Sequence, residues 1–189
     1  VNNNSLFTNN IEYLQKGGAF QQYCYKTLIS LNILNDLSAY EPVLVGTIPI
    51  GLNIEGSDAD IACCSDELDA FKEFIILKYG SLPGFSDRLT EKVYVASFQY
   101  NSLPIEIYAE NRRAIEQNGY RHMLVEWRLL NLAGEKFREE IIRLKREGYK
   151  TEPAFGRLLH LDEPYSQLLL FSDKADSDLL KLIPSKYRL

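Results

Sequence analysis

The sequence predicts an α+β fold, a mixed sheet with flanking helices followed by a C-terminal helical bundle. Three observations carry that expectation. Short runs rich in Val, Ile, Tyr and Phe, at residues 43–45, 58–64, 92–100 and 103–108, mark strands. Helical periodicity flanks them at residues 21–37 and 66–79. Beyond Glu110 the strand signals stop and short helical patterns separated by Gly or Pro take over. The boundary is placed near residue 112. Residues 1–112 are then an α/β domain, and residues 113–189 a helical domain expected to pack on it and close a cleft.

Each element has a local reason. Leu28, Leu31, Leu34 and Leu37 recur at three-residue spacing, with Cys24 one turn earlier, so residues 21–37 read as a helix that Pro42 ends. Val43-Leu44-Val45 is a buried strand stopped by Gly46. Pro49, Gly51 and Gly56 make residues 47–56 a loop. On the next strand Ala59, Ile61 and Cys63 share one face, and Asp58, Asp60 and Ala62 the other. Ser65 or Asp66 caps the helix at 66–79, with Leu68, Phe71 and Ile75 as its stripe and Gly80 as its stop. Residues 92–100 and 103–108 pair as a hairpin through Asn101-Ser102. Helices follow at 120–133 and 135–147, ended by Gly134 and Gly148. Further helices are expected to start near Pro153, with Thr151 as N-cap, near Pro164, and at Ser177.

Composition bounds the class. With 189 residues, 46% hydrophobic and 25% charged, the chain is long enough for a sizeable core without staples. Lys and Arg number 21 against 26 Asp and Glu, a formal net charge of −5, which argues against a nucleic-acid partner. Three cysteines, none in a CxxC pair, and two histidines do not make a zinc site, so the thiols read as reduced and buried in a cytoplasmic protein. No apolar run reaches the ~20 residues a membrane helix needs. The Asn-rich residues 1–10 lack a signal-peptide pattern and are expected to fray, and Val in place of Met at position 1 fits a processed or trimmed start.

The chemistry-bearing residues are three carboxylates in unlikely places. Asp58 and Asp60 lie roughly 7 Å apart on one strand face, where like charges repel and Asp is disfavoured. Glu106 sits between Ile105 and Ile107, in a strand whose neighbours look buried. A carboxylate there needs a partner or a metal. If its strand lies beside the Asp58–Asp60 strand, all three converge, and hard oxygens in that number suit Mg²⁺ or Mn²⁺. Gly46 allows close backbone approach to a ligand, and Thr47 adds a hydroxyl next to N–H groups able to hold phosphate oxygens.

The ordered set Gly46-Thr47, Asp58-Ala59-Asp60-Ile61, Ile105-Glu106-Ile107 resembles the nucleotidyltransferase superfamily, whose fold is that of the polymerase beta palm. That pattern is an apolar residue, Gly, Gly or Ser, a loop of about ten residues, Asp-x-Asp on a strand, and a third acid between apolar residues on a later strand. The sequence departs from it at Thr47, where Ser is usual, and at Ile48-Pro49-Ile50, where minimal members often carry an Arg. The segments GTIPIGLNIEGSDADI, GYRHMLVEWRLL and LKREGYKTEPAF also resemble a small bacterial family of unknown function related to these enzymes. The resemblance implies transfer of a nucleoside monophosphate from a nucleoside triphosphate (NTP) to a hydroxyl on a small molecule or protein. Asp58, Asp60 and Glu106 would hold the metal, and Gly46, Thr47 and Ser57 would bind phosphates. Glu106 would serve as base, with Glu126 its rival, as in some antibiotic-modifying relatives.

His122 and Glu126, four apart on one helix face beside Arg121 and Arg128, are candidates to line an acceptor cleft; their plain alternative is a surface ion pair. Arg113, after the third-carboxylate strand, and Lys150, before a helix start, are candidates for phosphate, and otherwise solvated cations. The alternative to an enzyme is a catalytically degenerate module that keeps the fold and binds nucleotide or a protein partner. A hydrolase or phosphotransferase on the same metals is a third reading.

Overall fold

The computed structural model describes residues 5–8 and 10–188, so the expected fraying of residues 1–10 falls partly outside the described residues; within that stretch Ser5–Thr8 is a short helix, α1. The chain divides into two compact units. The first comprises residues 1–51 and 56–120, the second residues 52–55 and 121–189.

The first unit is built on a five-stranded mixed sheet in the order β1-β2-β5-β4-β3. Its strands are β1 (Val43–Val45), β2 (Ala59–Cys64), β3 (Ser86–Leu89), β4 (Val93–Tyr100) and β5 (Leu103–Glu110). β2 and β5 run parallel, and every other pair is antiparallel. β4 and β5 form the expected hairpin. Asn101 and Ser102 both take positive φ, 48° and 65°, the twist that suits a two-residue turn between right-twisted strands.

One sheet face is covered. Ala59, Ile61 and Cys63 of β2, Ile105, Ile107 and Ala109 of β5, and Tyr94, Ala96 and Phe98 of β4 share a core with Cys24 and Leu28 of α2 (Ala19–Leu31), Ile33 of α3 (Ile33–Asp36), and Phe71, Ile75 and Tyr79 of α4 (Leu68–Tyr79). Tyr79 stacks on Phe98 with centroids 5.1 Å apart. The period-two alternation of β5, apolar in and half-buried out, sends Glu106 to the other face.

The expected single helix at 21–37 is two. Asn32 takes a left-handed conformation, φ 60°, and caps α2 by donating its N–H to the Ile29 carbonyl. Asn tolerates that backbone where most residues do not. β3 carries no sequence signal: Ser-Asp-Arg-Leu is mostly exposed and holds its place through antiparallel pairing with β4.

The second unit is helical. α5 (Asn118–Leu132) carries the chain into it and is followed by α6 (Glu135–Arg146), α7 (Thr151–Leu159), α8 (Pro164–Leu170) and α9 (Asp176–Leu182). Phe137 of α6 is its apolar centre, with its ring edge-on to Phe155 at 5.7 Å and to Tyr187 at 5.4 Å. Gly156 of α7 permits the approach of α8, since a Cβ there would lie 2.7 Å from Pro164 Cβ. Thr151 is not the N-cap of α7. It is the first helical residue, and its hydroxyl accepts a hydrogen bond from Lys145 at 3.1 Å.

Candidate functional site

The pairing of β2 with β5 decides where the carboxylates go. Asp60 and Glu106 are register partners on adjacent parallel strands, so their side chains leave the same face side by side. Both are half-buried. The register row continues through Ser97 of β4 beside Glu106 and Val45 of β1 beside Asp60. Two carboxylates therefore stand in the middle of the sheet, flanked by a hydroxyl and an aliphatic residue. Asp58 lies just before β2 and is exposed. Among the described residues no group of three His, Cys, Asp or Glu side chains is gathered as for a held metal ion.

Gly46 completes this corner. It ends β1 with φ +78°, a backbone that L side chains rarely adopt, and an added Cβ would stand 2.3 Å from Asp60 Oδ2. The Asp60 carboxylate thus rests on the bare backbone of Gly46. Thr47 follows, half-buried, and then Ile48 and Ile50, which are 0% and 4% exposed. The turn thus buries its apolar residues. Ser57 is half-buried ahead of Asp58.

The donor set suits a hard divalent cation. Mg²⁺ is usually held by one or two carboxylates with substrate phosphates and water filling its other positions. Asp60 and Glu106 supply two, and Asp58 stands two residues before Asp60, ahead of β2.

Arg113 sits elsewhere. Cys64 of β2 pairs with Glu110 of β5, four residues or roughly 13 Å of strand beyond Glu106, and Arg113 lies past that end. Its Nε donates to Glu41 Oε2 at 3.1 Å. Arg112 likewise reaches Glu110 Oε1 at 2.6 Å. Of the thiols, Cys24 and Cys63 are buried and pushed up by desolvation, whereas Cys64 is half-exposed.

In the second unit His122 and Glu126 of α5 do not form a surface ion pair. His122 is 9% and Glu126 3% exposed. His122 Nδ1 lies 3.4 Å from Glu152 Oε1 on α7, and Nε2 is 2.8 Å from the Tyr165 carbonyl on α8. Burial pulls the His122 pKa down, but these two hydrogen bonds and the charge of Glu152 outweigh it, so the imidazole is held above its ordinary value. Glu126 Oε1 is buried without a hydrogen-bond partner among the described residues. Burial, then the Glu152 charge, raise its pKa to about 8 against the opposing pull of His122 and Lys145. Glu126 thus keeps its proton at neutral pH. Arg121 and Arg128 are engaged in holding the chain after α8: Arg121 donates to Ser172 Oγ at 2.9 Å and Arg128 to Asp176 at 2.7 Å. Lys150 is the exposed N-cap residue of α7.

Two groups had not been singled out from sequence. Lys145 is only 8% exposed in a run of charged residues that reads as a solvated face. Gln21 carried one usable signal: it stands three residues after Gly18, the spacing at which a side chain reaches back to a helix N-cap.

With this geometry in hand, the chain is similar to several solved polymerase-like structures. Superposition on the RNA terminal uridylyl transferase Cid1 gives a TM-score of 0.54 at 15% identity, over 82% of this chain and 50% of that one. The Cid1 poly(U) polymerase with MgGTP bound gives 0.52 at 17% identity, over 85% and 55%. The GLD-2/RNP-8 complex gives 0.51 at 10% identity, over 93% and 78%. The chain spans about half the length of the Cid1 structures, and the likeness establishes a nucleotidyltransferase-like fold. No curated protein matches the sequence. No helix among the described residues is long and apolar enough to cross a membrane. The model of the family described as "Domain of unknown function (DUF4269)" matches residues 26–171, so the chain belongs to that family.

Proposed function

We propose that this protein is a metal-dependent nucleotidyltransferase that moves a nucleoside monophosphate from an NTP to a hydroxyl acceptor. The observation that carries the reading is the register pairing of Asp60 with Glu106 on one sheet face, with Asp60 seated on Gly46. That arrangement sits on a fold shared with structures named for terminal uridylyl transfer and poly(U) synthesis.

The roles follow from the chemistry. Asp60 and Glu106, joined by Asp58, would hold Mg²⁺ or Mn²⁺, whose positive charge would offset the repulsion among the carboxylates and the nucleotide phosphates. The ion supplies positive charge to the phosphates and lowers the cost of charge building up at the α-phosphorus. Gly46 and Thr47 offer backbone N–H groups and a hydroxyl to the β- and γ-phosphates, with Ser57 across the loop. The acceptor oxygen forms a bond to the α-phosphorus, the bond from that phosphorus to the bridging oxygen breaks, and pyrophosphate leaves with the electron pair. The acceptor proton passes to Glu106. Glu126 is the poorer candidate for that role, because it is buried and already protonated near neutral pH. Acceptors of three classes fit: a small-molecule hydroxyl, a protein side chain, or an RNA end, the last drawn from the name of the Cid1 neighbour.

A second reading has its own support. The turn after Thr47 buries Ile48 and Ile50 and holds no cation of its own, which suits a module that binds nucleotide or a protein partner without turning it over. The two are separated by incubating the protein with Mg²⁺, each NTP and acceptors of the three classes, and following pyrophosphate. Release that disappears in Asp60→Asn supports the enzyme. Thermal stabilisation by Mg²⁺-NTP without pyrophosphate supports the module. No response to any nucleotide overturns the enzyme and the nucleotide-binding module alike, and leaves only a module for a protein partner.

A further inference from the structure

The turn that follows Gly46 and Thr47 is gripped by one side chain from another element. Gln21 stands in the first turn of α2, and both ends of its amide are used. Its Oε1 accepts the N–H of Gly18, the N-cap residue, at 3.0 Å. Its Nε2 donates to the Ile48 carbonyl at 2.7 Å, with a longer contact to the Pro49 carbonyl at 3.5 Å. The side chain is also hemmed in, since a Cβ at Gly17 would stand 2.1 Å from Oε1. Flipping the amide would set an NH₂ against an N–H and an oxygen against two carbonyls, so the orientation is fixed by the bonds themselves.

The chemistry of the turn explains why it needs this grip. The Ile48 carbonyl belongs to a tertiary amide, because Pro49 follows; that peptide unit has an acceptor and no N–H. A phosphate approaching Gly46 and Thr47 meets one donor fewer than usual and one carbonyl dipole that would repel it. Nε2 of Gln21 holds that carbonyl toward α2, and the Gly51 N–H donates to the same oxygen within the turn at 3.2 Å. Burial of Ile48 and Ile50 pins the same turn from its apolar side.

We infer that Gln21 is a positioning residue for the nucleotide phosphates: by binding the Ile48 and Pro49 carbonyls it holds the Gly46–Thr47 turn open to them. The inference rests on the proposed nucleotide site.

The test uses the full chain, Gln21→Glu and Gln21→Met. Glu keeps the acceptor for Gly18 but loses the donor and sets a carboxylate against two carbonyls. Met keeps the bulk and loses both bonds. Two readouts are taken: hydrogen exchange of the Thr47, Ile48, Ile50 and Gly51 amides without ligand, and the Kd for Mg²⁺-NTP by titration. The expected result is faster exchange confined to that turn in both variants, with Kd raised about ten-fold or more in Gln21→Met and further in Gln21→Glu. If turnover is found, KM should rise while kcat is largely kept. Wild-type affinity in Gln21→Met overturns the inference and leaves the nucleotide site standing. Faster exchange spread over the whole first unit also overturns it, because Gln21 is then a general structural residue. If Gln21→Glu does not fold, Gln21→Met decides by the same criteria. A wild-type protein that binds no Mg²⁺-NTP removes the nucleotide site itself, and the inference with it.

Discussion

Replacing Glu126 with Gln should flatten the pH dependence of stability over a defined window. The folded carboxyl titrates at about 8, against 4.5 for the group in an unfolded chain. Between those values the native state holds a proton that the unfolded state releases. Stability from this group is therefore fully present below about pH 4.5 and is lost as pH rises toward 8. One proton is worth about 1.4 kcal/mol per pH unit, so moving from about pH 5 to pH 7 removes at most about 3 kcal/mol, or roughly 5–10 °C in Tm for a chain of this size. His122 adds to the loss in the upper part of the window. Its folded pKa lies above the ordinary value, so its contribution fades as pH rises through that raised value. Glu152 is held below the ordinary carboxylate range, with the His122 hydrogen bond and charge outweighing burial, so its contribution fades only as pH falls into the acid range. Gln keeps the volume of Glu126 and cannot ionise. The assay is a set of urea or thermal melts of wild type and Glu126→Gln at half-unit steps from about pH 5 to pH 8. The variant should be flatter than wild type up to about pH 6.5 and more stable than wild type at pH 8. Parallel curves with a constant offset would refute the claim that Glu126 is buried as an acid.

Other outcomes follow from single contacts. Gly46→Ala should cost about 1–2 kcal/mol from positive φ alone and displace the Asp60 carboxylate, so thermal melts should fall and Mg²⁺-NTP stabilisation should vanish. Asp60→Asn should abolish nucleotide response while leaving the metal-free melt unchanged or raised, by on the order of 1 kcal/mol or less, because repulsion from Glu106 is relieved. Gly156→Ala gains about 1 kcal/mol of helix propensity but forces a methyl into the Pro164 ring at about 1–3 kcal/mol, so denaturant melts should show a net loss.

Much of the fold was legible in the sequence because its signals are local. Val43–Val45 between Pro42 and Gly46 is a strand in both readings, and the Asn101-Ser102 hairpin follows from turn chemistry. Helix starts near Pro164 and Ser177 fall within a residue or so of α8 and α9. What failed to show was set by tertiary contact. Asn32 breaks the first long helix inside an unbroken Leu pattern, since a left-handed cap leaves the apolar spacing intact. β3 exists through its pairing with β4, and its four residues have no pattern of their own.

The site divides the same way. Asp60 and Glu106 could be matched because charge among apolar strand residues is anomalous in sequence, and parallel pairing then makes them neighbours. The seat of Asp60 on Gly46 is a matter of backbone φ and packing that no spacing encodes. His122 and Glu126 share a helix face as expected, yet their burial depends on Glu152 and Tyr165, which arrive from α7 and α8.

Asp60 and Glu106, side by side on β2 and β5 next to Gly46, are proposed to form one cation-binding corner. Crystals grown with Mn²⁺ and a non-hydrolysable NTP analogue, read by anomalous scattering, test it most directly. The expected result is Mn²⁺ bound to carboxylate oxygens of both Asp60 and Glu106, with Asp58 drawn in and the phosphates against Gly46 and Thr47. Mn²⁺ bound elsewhere with that corner filled by water, or nucleotide seated away from β2 and β5, would contradict it.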